Sequence, residues 1–212
     1  MELKPGYKQT EVGVIPEDWN AKSVLEVCSQ IIDYRGRTPK KLGLDWGGGE
    51  IPALSAGNVK SGYIDFSAEC YLGSEQLYRR WMTHGDIRKD DILFTTEAPL
   101  GNVALVPDSR KYILSQRTIL LQIAPSMAIS RFLFQQMRSD SFQRILADYS
   151  SGSTAKGIQR KKFEELRRRL FFLHFPFCFH STYTFSCFYA HFGASSRAWP
   201  ERRNDPSLCI AR

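Results

Sequence analysis

The chain has 212 residues, enough for one domain with appendages or for two small domains. Its 29 basic and 22 acidic residues leave a formal charge of +7, which favours a polyanionic partner over an acidic small ligand. The five cysteines are widely spaced with no C-x-x-C pair, which argues against a zinc ribbon or a thiol redox motif and makes free thiols the expectation.

The compartment is predicted from two further absences. The first residues lack the apolar core of a signal peptide, and no run of about 18 apolar residues could cross a membrane. We therefore expect a cytoplasmic protein with no membrane partner.

The chain begins with short predicted elements. Residues 1–20 are polar and contain several Pro and Gly, which predicts an N-terminal arm that packs on a domain. Ser23 is a candidate cap for a helical turn over 24–27, and the pattern of 30–35 predicts a strand.

A basic loop follows this strand. Phosphate contacts require cations and small hydrogen-bond donors on a loop that can follow a nucleic-acid backbone. A merely solvated loop is the alternative. The candidate contacts are Arg35, Arg37, Thr38, Lys40 and Lys41.

Residues 51–82 predict two strands and a helix. The strands are expected at 51–54 and 62–66. The helix is expected over 75–82, with Ser74 as its cap.

Residues 90–123 predict the framework of the fold. The apolar runs 92–94, 103–106 and 118–123 are bounded by breakers and are typical of buried strands. Polar residues stand at the strand ends, where a rigid sheet can present side chains to a partner. Thr96, Gln116 and Arg117 are the candidates, although Gln116 and Arg117 could instead pack the strand end.

Helices and a small-residue loop are predicted next. Ser130 can cap a helix over 131–138, and Asp140 or Ser141 can begin a second helix over 142–149. Small residues then predict a loop that ends at a helix start near 162–166, with a simple linker as the alternative. Its candidate phosphate contacts are Ser153, Thr154, Lys156 and Arg160.

The composition changes abruptly at Arg167. Residues 170–212 hold eight of the 14 Phe and three of the four His, with no Lys and only two acidic residues. We expect this tail to be translated from a different reading frame, or to be otherwise non-homologous to the domain before it. We also expect it to be poorly ordered. A membrane-surface segment is the alternative, but the charge pattern is not amphipathic.

Together these features predict an α/β (α+β) fold, in which a small mixed twisted sheet carries short helices and precedes an irregular C-terminal tail. The predicted divisions are an arm at 1–20, a domain at 21–167 and the tail at 168–212.

Enzyme signatures are absent from the sequence. No H-E-x-x-H, G-x-S-x-G, Walker, N-P-P-[FYW] or D-P-P-Y motif occurs. Neighbouring residues on a strand point to opposite faces, so Asp90 and Asp91 are poorly placed to share a metal. We predict no catalytic residue, metal or cofactor. The alternatives are a nuclease or methyltransferase with an unrecognised site, and a protein-interaction module that does not bind DNA.

Several segments carry a family resemblance. Residues 7–19, 101–104, 114–117 and 152–158 resemble the specificity (S) subunits of bacterial type I restriction–modification systems. Further matching segments lie at 51–52, 57–59, 90–95 and 163–166. The resemblance covers about residues 6–167, and the order and spacing of the segments are more specific than any one of them.

The resemblance implies a target recognition domain that reads one half of a bipartite site in double-stranded DNA and has no catalytic activity of its own. The implied partners are methyltransferase (M) and restriction (R) subunits, which would give the complex its adenine methyltransferase and endonuclease activities. Family members usually carry a long spacer helix after each domain. Here residues 167–171 replace its start, so the chain resembles a single recognition domain from a truncated or frameshifted gene. For such a chain the resemblance does not support docking to the other subunits, and a nonfunctional remnant is the alternative.

Overall fold

A computed structural model describes residues 3–10, 13–17, 19–124, 130–152, 156–166 and 171–173. For residues 13, 19–21 and 171–173 it describes only the backbone.

Eleven strands and five helices, together with a 3₁₀ turn at Pro39–Leu42, form the described part of the chain. The strands are β1 (Tyr7–Thr10), β2 (Gly13–Pro16), β3 (Trp19–Ala21), β4 (Cys28–Asp33), β5 (Ile51–Leu54), β6 (Tyr71–Gly73), β7 (Ile92–Thr95), β8 (Val103–Leu105), β9 (Ile113–Leu114), β10 (Thr118–Ile123) and β11 (Phe171–Leu173). The helices are α1 (Val24–Val27), α2 (Glu75–Trp81), α3 (Ser130–Arg138), α4 (Asp140–Tyr149) and α5 (Arg160–Glu164).

The central element is a four-stranded antiparallel sheet with the order β4-β10-β7-β8. Both of its faces are covered, so consecutive residues of one strand enter different hydrophobic clusters. On β10, Leu120 enters one cluster, whereas Ile119 and Leu121 enter the other. This burial on both faces explains why the strand sequences are continuous apolar runs instead of alternating apolar and polar residues.

One face of the central sheet packs against α1, α3, α4 and α5, whose buried residues include Val24, Leu133, Phe142 and Phe163. The other face packs against α2 and a three-stranded sheet with the order β6-β5-β9. In this smaller sheet β5 runs antiparallel to β6 and parallel to β9. The predicted fold class, a mixed α+β domain with short helices, is confirmed.

Most predicted elements are present with small shifts of boundary. Ser23 caps α1 in a capping box with Glu26, and Ser74 caps α2. The cap of α4 is Ser139, where Asp140 or Ser141 was expected.

The strand predicted at 62–66 is wrong. Only one isolated bridge, between Val59 and Ile64, forms there. The fully buried Asn58 organises this segment by donating from its amide nitrogen to the carbonyl oxygens of Asp65 and Ala68. The backbone therefore curls around a side chain instead of pairing with a neighbouring strand.

The chain ends differ from expectation in two ways. Where an extended arm was predicted, β1 and β2 pair as an antiparallel hairpin in which Ile15 is buried. After α5, the chain returns as β11, which pairs with β3. Residues 174–212, to which most of the tail prediction applies, lie outside the described residues.

Cysteine chemistry departs from the expectation at one position. Cys28 is a free thiol, and its burial, followed by the charge of Glu164, raises its pKa to about 12. Cys70 is in a disulfide, so the expectation of five free thiols is wrong there. Among the described helices, none is long and apolar enough to span a membrane.

Candidate nucleic-acid interface

Three strands of the central sheet bring polar residues to one end. Asp33 at the end of β4 pairs with Ile119, and Thr95 at the end of β7 pairs with Thr118 at the start of β10. The residues that follow β4 and β7 and those that precede β10 therefore lie side by side. This placement joins three segments that are far apart in sequence.

The turn before β10 is fixed by its backbone. The Thr96 N–H and hydroxyl donate to the Arg117 carbonyl at 2.9 and 3.2 Å, and the Ala56 N–H donates to the Gln116 carbonyl at 3.1 Å. Arg117 has a φ of 61°, in the left-handed region that residues other than glycine seldom adopt. Such a conformation is maintained only when its surroundings fix it, as these hydrogen bonds do. The side chains of Gln116 and Arg117 are both exposed.

Arg35 lies beside this turn. Its Nε and Nη2 donate to the two Asp33 carboxylate oxygens at 2.9 and 2.6 Å, and its Nη1 donates to the Thr96 hydroxyl at 3.1 Å. Thr96 is only 1% exposed. The Thr96 hydroxyl therefore holds Arg35 and the turn in place. This favours a positioning role for Thr96 over direct contact with a partner.

The Asp33 carboxylate lies between two arginines. Burial alone would raise its pKa, but the hydrogen bonds from Arg35 and the charges of Arg35 and Arg160 outweigh burial and lower the pKa below its ordinary value. Asp33 is therefore ionised at neutral pH and balances part of the positive charge at this end of the sheet.

Arg160, at the start of α5, completes this cluster. Its Nη2 donates to the Ile31 carbonyl at 3.1 Å, and its Nε donates to Glu164 Oε1 at 2.6 Å. The first contact ties α5 to β4, and the second is an i,i+4 pair on the helix.

The loop before α5 is clamped to the sheet. Ser151 and Gly157 exchange two backbone hydrogen bonds, each of 2.9 Å, and the Ile158 N–H donates to the Thr96 carbonyl at 2.9 Å. A Cβ on Gly157 would lie 3.2 Å from the Cβ of Glu97, so a glycine permits this close approach. Between the loop and the strand ends is an open groove of about 400 Å³, lined by Arg35, Thr96, Glu97, Ser151, Gly157, Ile158, Gln159 and Arg160.

The arginines here are paired with carboxylates, whereas none of the three candidate lysines has a carboxylate partner within the described residues. Arg117 Nε lies 3.2 Å from Glu97 Oε1, and both side chains are about half exposed. Lys40 and Lys156 are exposed and form no ion pair within the described residues. Lys156 also borders a smaller depression of about 250 Å³ with Leu100, Gln143, Leu146 and Ala147.

The predicted basic loop at 35–41 is held by its own side chains. Arg37 donates to the Trp81 carbonyl and to the Thr83 hydroxyl, and its guanidinium lies 4.5 Å from the centre of the Tyr34 ring. Thr38 caps the 3₁₀ turn by accepting from the Lys41 N–H, and Lys41 Nζ donates to the Gly36 carbonyl at 2.8 Å.

The predicted site residues thus fall into three groups. Arg35, Thr96, Arg117 and Arg160 are brought together at the sheet end, with Gln116 beside Arg117. A second group lies on the loop at 37–41. The third is the loop before α5, where Lys156 borders the smaller depression and where Ser153 and Thr154 lie outside the described residues. A role in DNA contact stays a prediction for all of them.

Sequence reasoning missed several members of this surface, including both of its carboxylates. Asp33 and Glu97 supply its negative charge, and Gln159 lines the groove. Glu97 directly follows the candidate Thr96, so its position at a strand end was the available signal. Within the described residues, no group of three or more His, Cys, Asp or Glu side chains could hold a metal ion.

Comparison with known families identifies this architecture. A family model described as the type I restriction modification DNA specificity domain matches residues 16–167. The chain belongs to this family.

One curated relative is the type I restriction enzyme MjaIX specificity subunit of Methanocaldococcus jannaschii, which is 25% identical over 164 residues. The match covers 76% of this chain and 36% of the relative, so the chain spans about a third of that protein's length.

Solved structures give similar coverage. The S subunit of a type I restriction–modification system from M. genitalium aligns with a TM-score of 0.46 and 14% identity over 78% of this chain and 35% of that one. The HsdS subunit from Thermoanaerobacter tengcongensis aligns with a TM-score of 0.49 and 24% identity over 71% and 37%.

Proposed function

We propose that the domain predicted at residues 21–167 is a DNA target recognition domain that reads one half of a bipartite site in double-stranded DNA. Membership of the DNA specificity domain family over residues 16–167 is the observation that carries this proposal. The curated relative, itself a specificity subunit of a type I restriction enzyme, supports the same role.

The geometry of the sheet end supports this proposal. A rigid framework carries exposed arginines beside a groove, and exposed lysines lie on the flanking loops. Lysines without carboxylate partners suit phosphate contacts, which provide affinity and position. Side chains on a fixed turn suit base edges, which provide sequence preference.

The proposed role is non-catalytic and uses no cofactor. In an assembled complex, methylation and cleavage would belong to the methyltransferase and restriction subunits. The purified chain is then expected to bind DNA without cutting or methylating it. Such a role places the protein in the cytoplasm, where its DNA partner lies.

Docking to the methyltransferase subunit is the part of the family's role that this chain is proposed to lack. The family match ends at residue 167, and Phe171–Leu173 is a strand paired with β3, where the resemblance predicts the start of a spacer helix. This supports the proposal that residues 168–212 are non-homologous to the domain before them. Docking through a spacer helix at this position would then be lost, while DNA recognition is kept.

Selection from a random-sequence duplex library tests the proposal. The full chain is immobilised, bound duplexes are sequenced, and the dissociation constant of the winning duplex is measured at about 50 and 200 mM salt. We expect one short preferred motif and weaker binding at the higher salt concentration. Failure to bind any duplex at either salt concentration would overturn the proposal.

The same selection separates the alternative functions. Cleavage or methylation of the duplexes by the chain alone would contradict the non-catalytic role and favour an unrecognised enzyme. Binding without any preferred motif would contradict sequence recognition.

A further inference from the structure

We propose that Arg117 and Glu97 together read one G·C base pair in the major groove. This inference rests on the proposed DNA-recognition function and assigns a specificity role to one pair of side chains within it. Arg117 would supply donors to the guanine, and Glu97 would supply an acceptor to the cytosine.

The Arg117 backbone is arranged in advance of any partner. Its φ of 61° lies in the left-handed region, and its carbonyl accepts two hydrogen bonds from Thr96. The turn is tied on its other side by the Ala56 N–H, which donates to Gln116. A strained and well-anchored residue with an exposed side chain is a common feature of binding sites.

The hydrogen-bonding capacity of this pair is largely unused. The guanidinium meets Glu97 through Nε, and no described residue accepts a hydrogen bond from its Nη1 or Nη2. No described side chain other than that of Arg117 is paired with the Glu97 carboxylate. Two donors of Arg117 therefore lie next to an acceptor of Glu97, which lines the groove, and both side chains are about half exposed.

This pattern complements one base pair. In the major groove a G·C pair presents two acceptors, guanine N7 and O6, followed by a donor, cytosine N4. Arginine donates to N7 and O6, and a carboxylate accepts from N4. An A·T pair presents an acceptor (adenine N7), a donor (adenine N6), an acceptor (thymine O4) and a methyl group. It lacks two adjacent acceptors followed by a donor, so it cannot satisfy both side chains.

Electrostatics favours a base over a phosphate at this position. A phosphate that approaches Arg117 would also approach the Glu97 carboxylate, whose oxygen is only 3.2 Å from the guanidinium. A neutral base edge meets no such repulsion. Lys156, which is exposed and has no carboxylate partner within the described residues, has the environment expected of a phosphate contact.

The test compares the full-length wild type with Arg117→Lys, Glu97→Gln and Lys156→Ala. Arg79→Lys is the control, because Arg79 forms an exposed ion pair of similar length with Glu75 on α2, at 3.1 Å. Urea unfolding midpoints verify that each variant folds. Each protein is then taken through duplex selection, and its dissociation constant is measured over a range of salt concentrations.

We expect Arg117→Lys to reduce the preference for guanine at one position of the motif by roughly 10- to 100-fold, because lysine cannot make the bidentate contact. Glu97→Gln should weaken the preference for cytosine at the same base pair. The slope of log affinity against log salt should stay at the wild-type value in both variants. Lys156→Ala should keep the motif and reduce the magnitude of that slope by about 0.9. Arg79→Lys should change neither quantity.

Two outcomes would overturn the assignment while leaving the proposed function intact. One is an unchanged motif in both Arg117→Lys and Glu97→Gln. The other is a uniform loss of affinity in Arg117→Lys with a smaller salt slope, which is the behaviour of a phosphate contact. Failure of the wild type to bind any duplex would instead overturn the proposed function together with this inference.

Discussion

Asp33 is the residue that keeps two arginines together at the end of the central sheet. Its carboxylate accepts from Arg35 and lies within the field of Arg160. Without this carboxylate, the positive charges of Arg35 and Arg160 would lie near each other with less negative charge to balance them. The carboxylate therefore stabilises the fold and also limits how much positive charge the groove presents.

The lowered pKa of Asp33 has a testable consequence for stability. A carboxyl whose pKa is lower in the folded state contributes stability above its unfolded pKa, and that contribution is lost as the pH falls through the folded value. We expect Asp33→Asn to cost about 1–3 kcal/mol in the free energy of unfolding at neutral pH. The difference from wild type should shrink below about pH 4. Urea unfolding at about pH 3 and pH 7 measures it.

Asp148→Asn is the control for this prediction, because Asp148 is an exposed carboxylate on α4. It should leave the unfolding free energy close to wild type at both pH values. A cost for Asp33→Asn that is the same at both pH values would contradict the linkage.

Single residues also show where sequence reasoning stops. The polar character of Thr96, Gln116 and Arg117 at strand ends was visible from the pattern of apolar runs. The pairing of Arg117 with Glu97, and the contact of Arg35 with Thr96 across 61 positions of sequence, depend on which strands become neighbours. Sequence patterns do not encode that adjacency.

At the scale of elements, β10 is the strand on which both cores depend. Leu120 is fully buried in the cluster that faces α2, and the register places it between Ile32 of β4 and Leu93 of β7. Ile119 and Leu121 face the opposite cluster. A one-residue shift in the register of β10 would move each of its side chains to the opposite face of the sheet and disrupt the packing of both cores.

Truncation of Leu120 should therefore be costly. We expect Leu120→Ala to reduce the free energy of unfolding by about 2–5 kcal/mol, because it removes buried surface and leaves a cavity. Leu25→Ala is the matched control, since Leu25 on α1 is 55% exposed, and it should change stability by no more than about 0.5 kcal/mol. Urea unfolding of both variants gives the two values, and equal costs would contradict this account of the core.

Elements were predictable where local signals and burial agreed. The strands near 92–94 and 118–123 and the helix after Ser74 were of this kind. The segment 62–66 has alternating residues but begins at Gly62, whose φ is +106°, and it packs around Asn58 instead of pairing. The two-residue β9 is too short to give any local pattern.

At the scale of the whole molecule, the described part of the chain builds both hydrophobic clusters from residues that precede residue 167. The described residues that form them extend from Val24 to Leu166. The strand β11 lies beyond them and pairs with β3. The division between domain and tail therefore remains a prediction that can be tested by shortening the chain.

Two shortened variants test that division. One ends at Leu173 and keeps the pairing of β11 with β3, and the other ends at Leu166 and removes it. We expect both to be at least as soluble as the full chain and to unfold cooperatively at a similar urea concentration. Loss of cooperative unfolding in the variant that ends at Leu173 would show that later residues belong to the domain.

The clamp between Ser151 and Gly157 has a consequence for how specificity can change. Because these two residues exchange both of their backbone hydrogen bonds, the two ends of the intervening loop are held together at one point. Residues 152–156 can therefore be lengthened or replaced without a register change in the central sheet. Closing a longer loop costs little additional entropy. This position is suited to the exchange of recognition loops between related proteins, in evolution and in the laboratory, with the same scaffold retained.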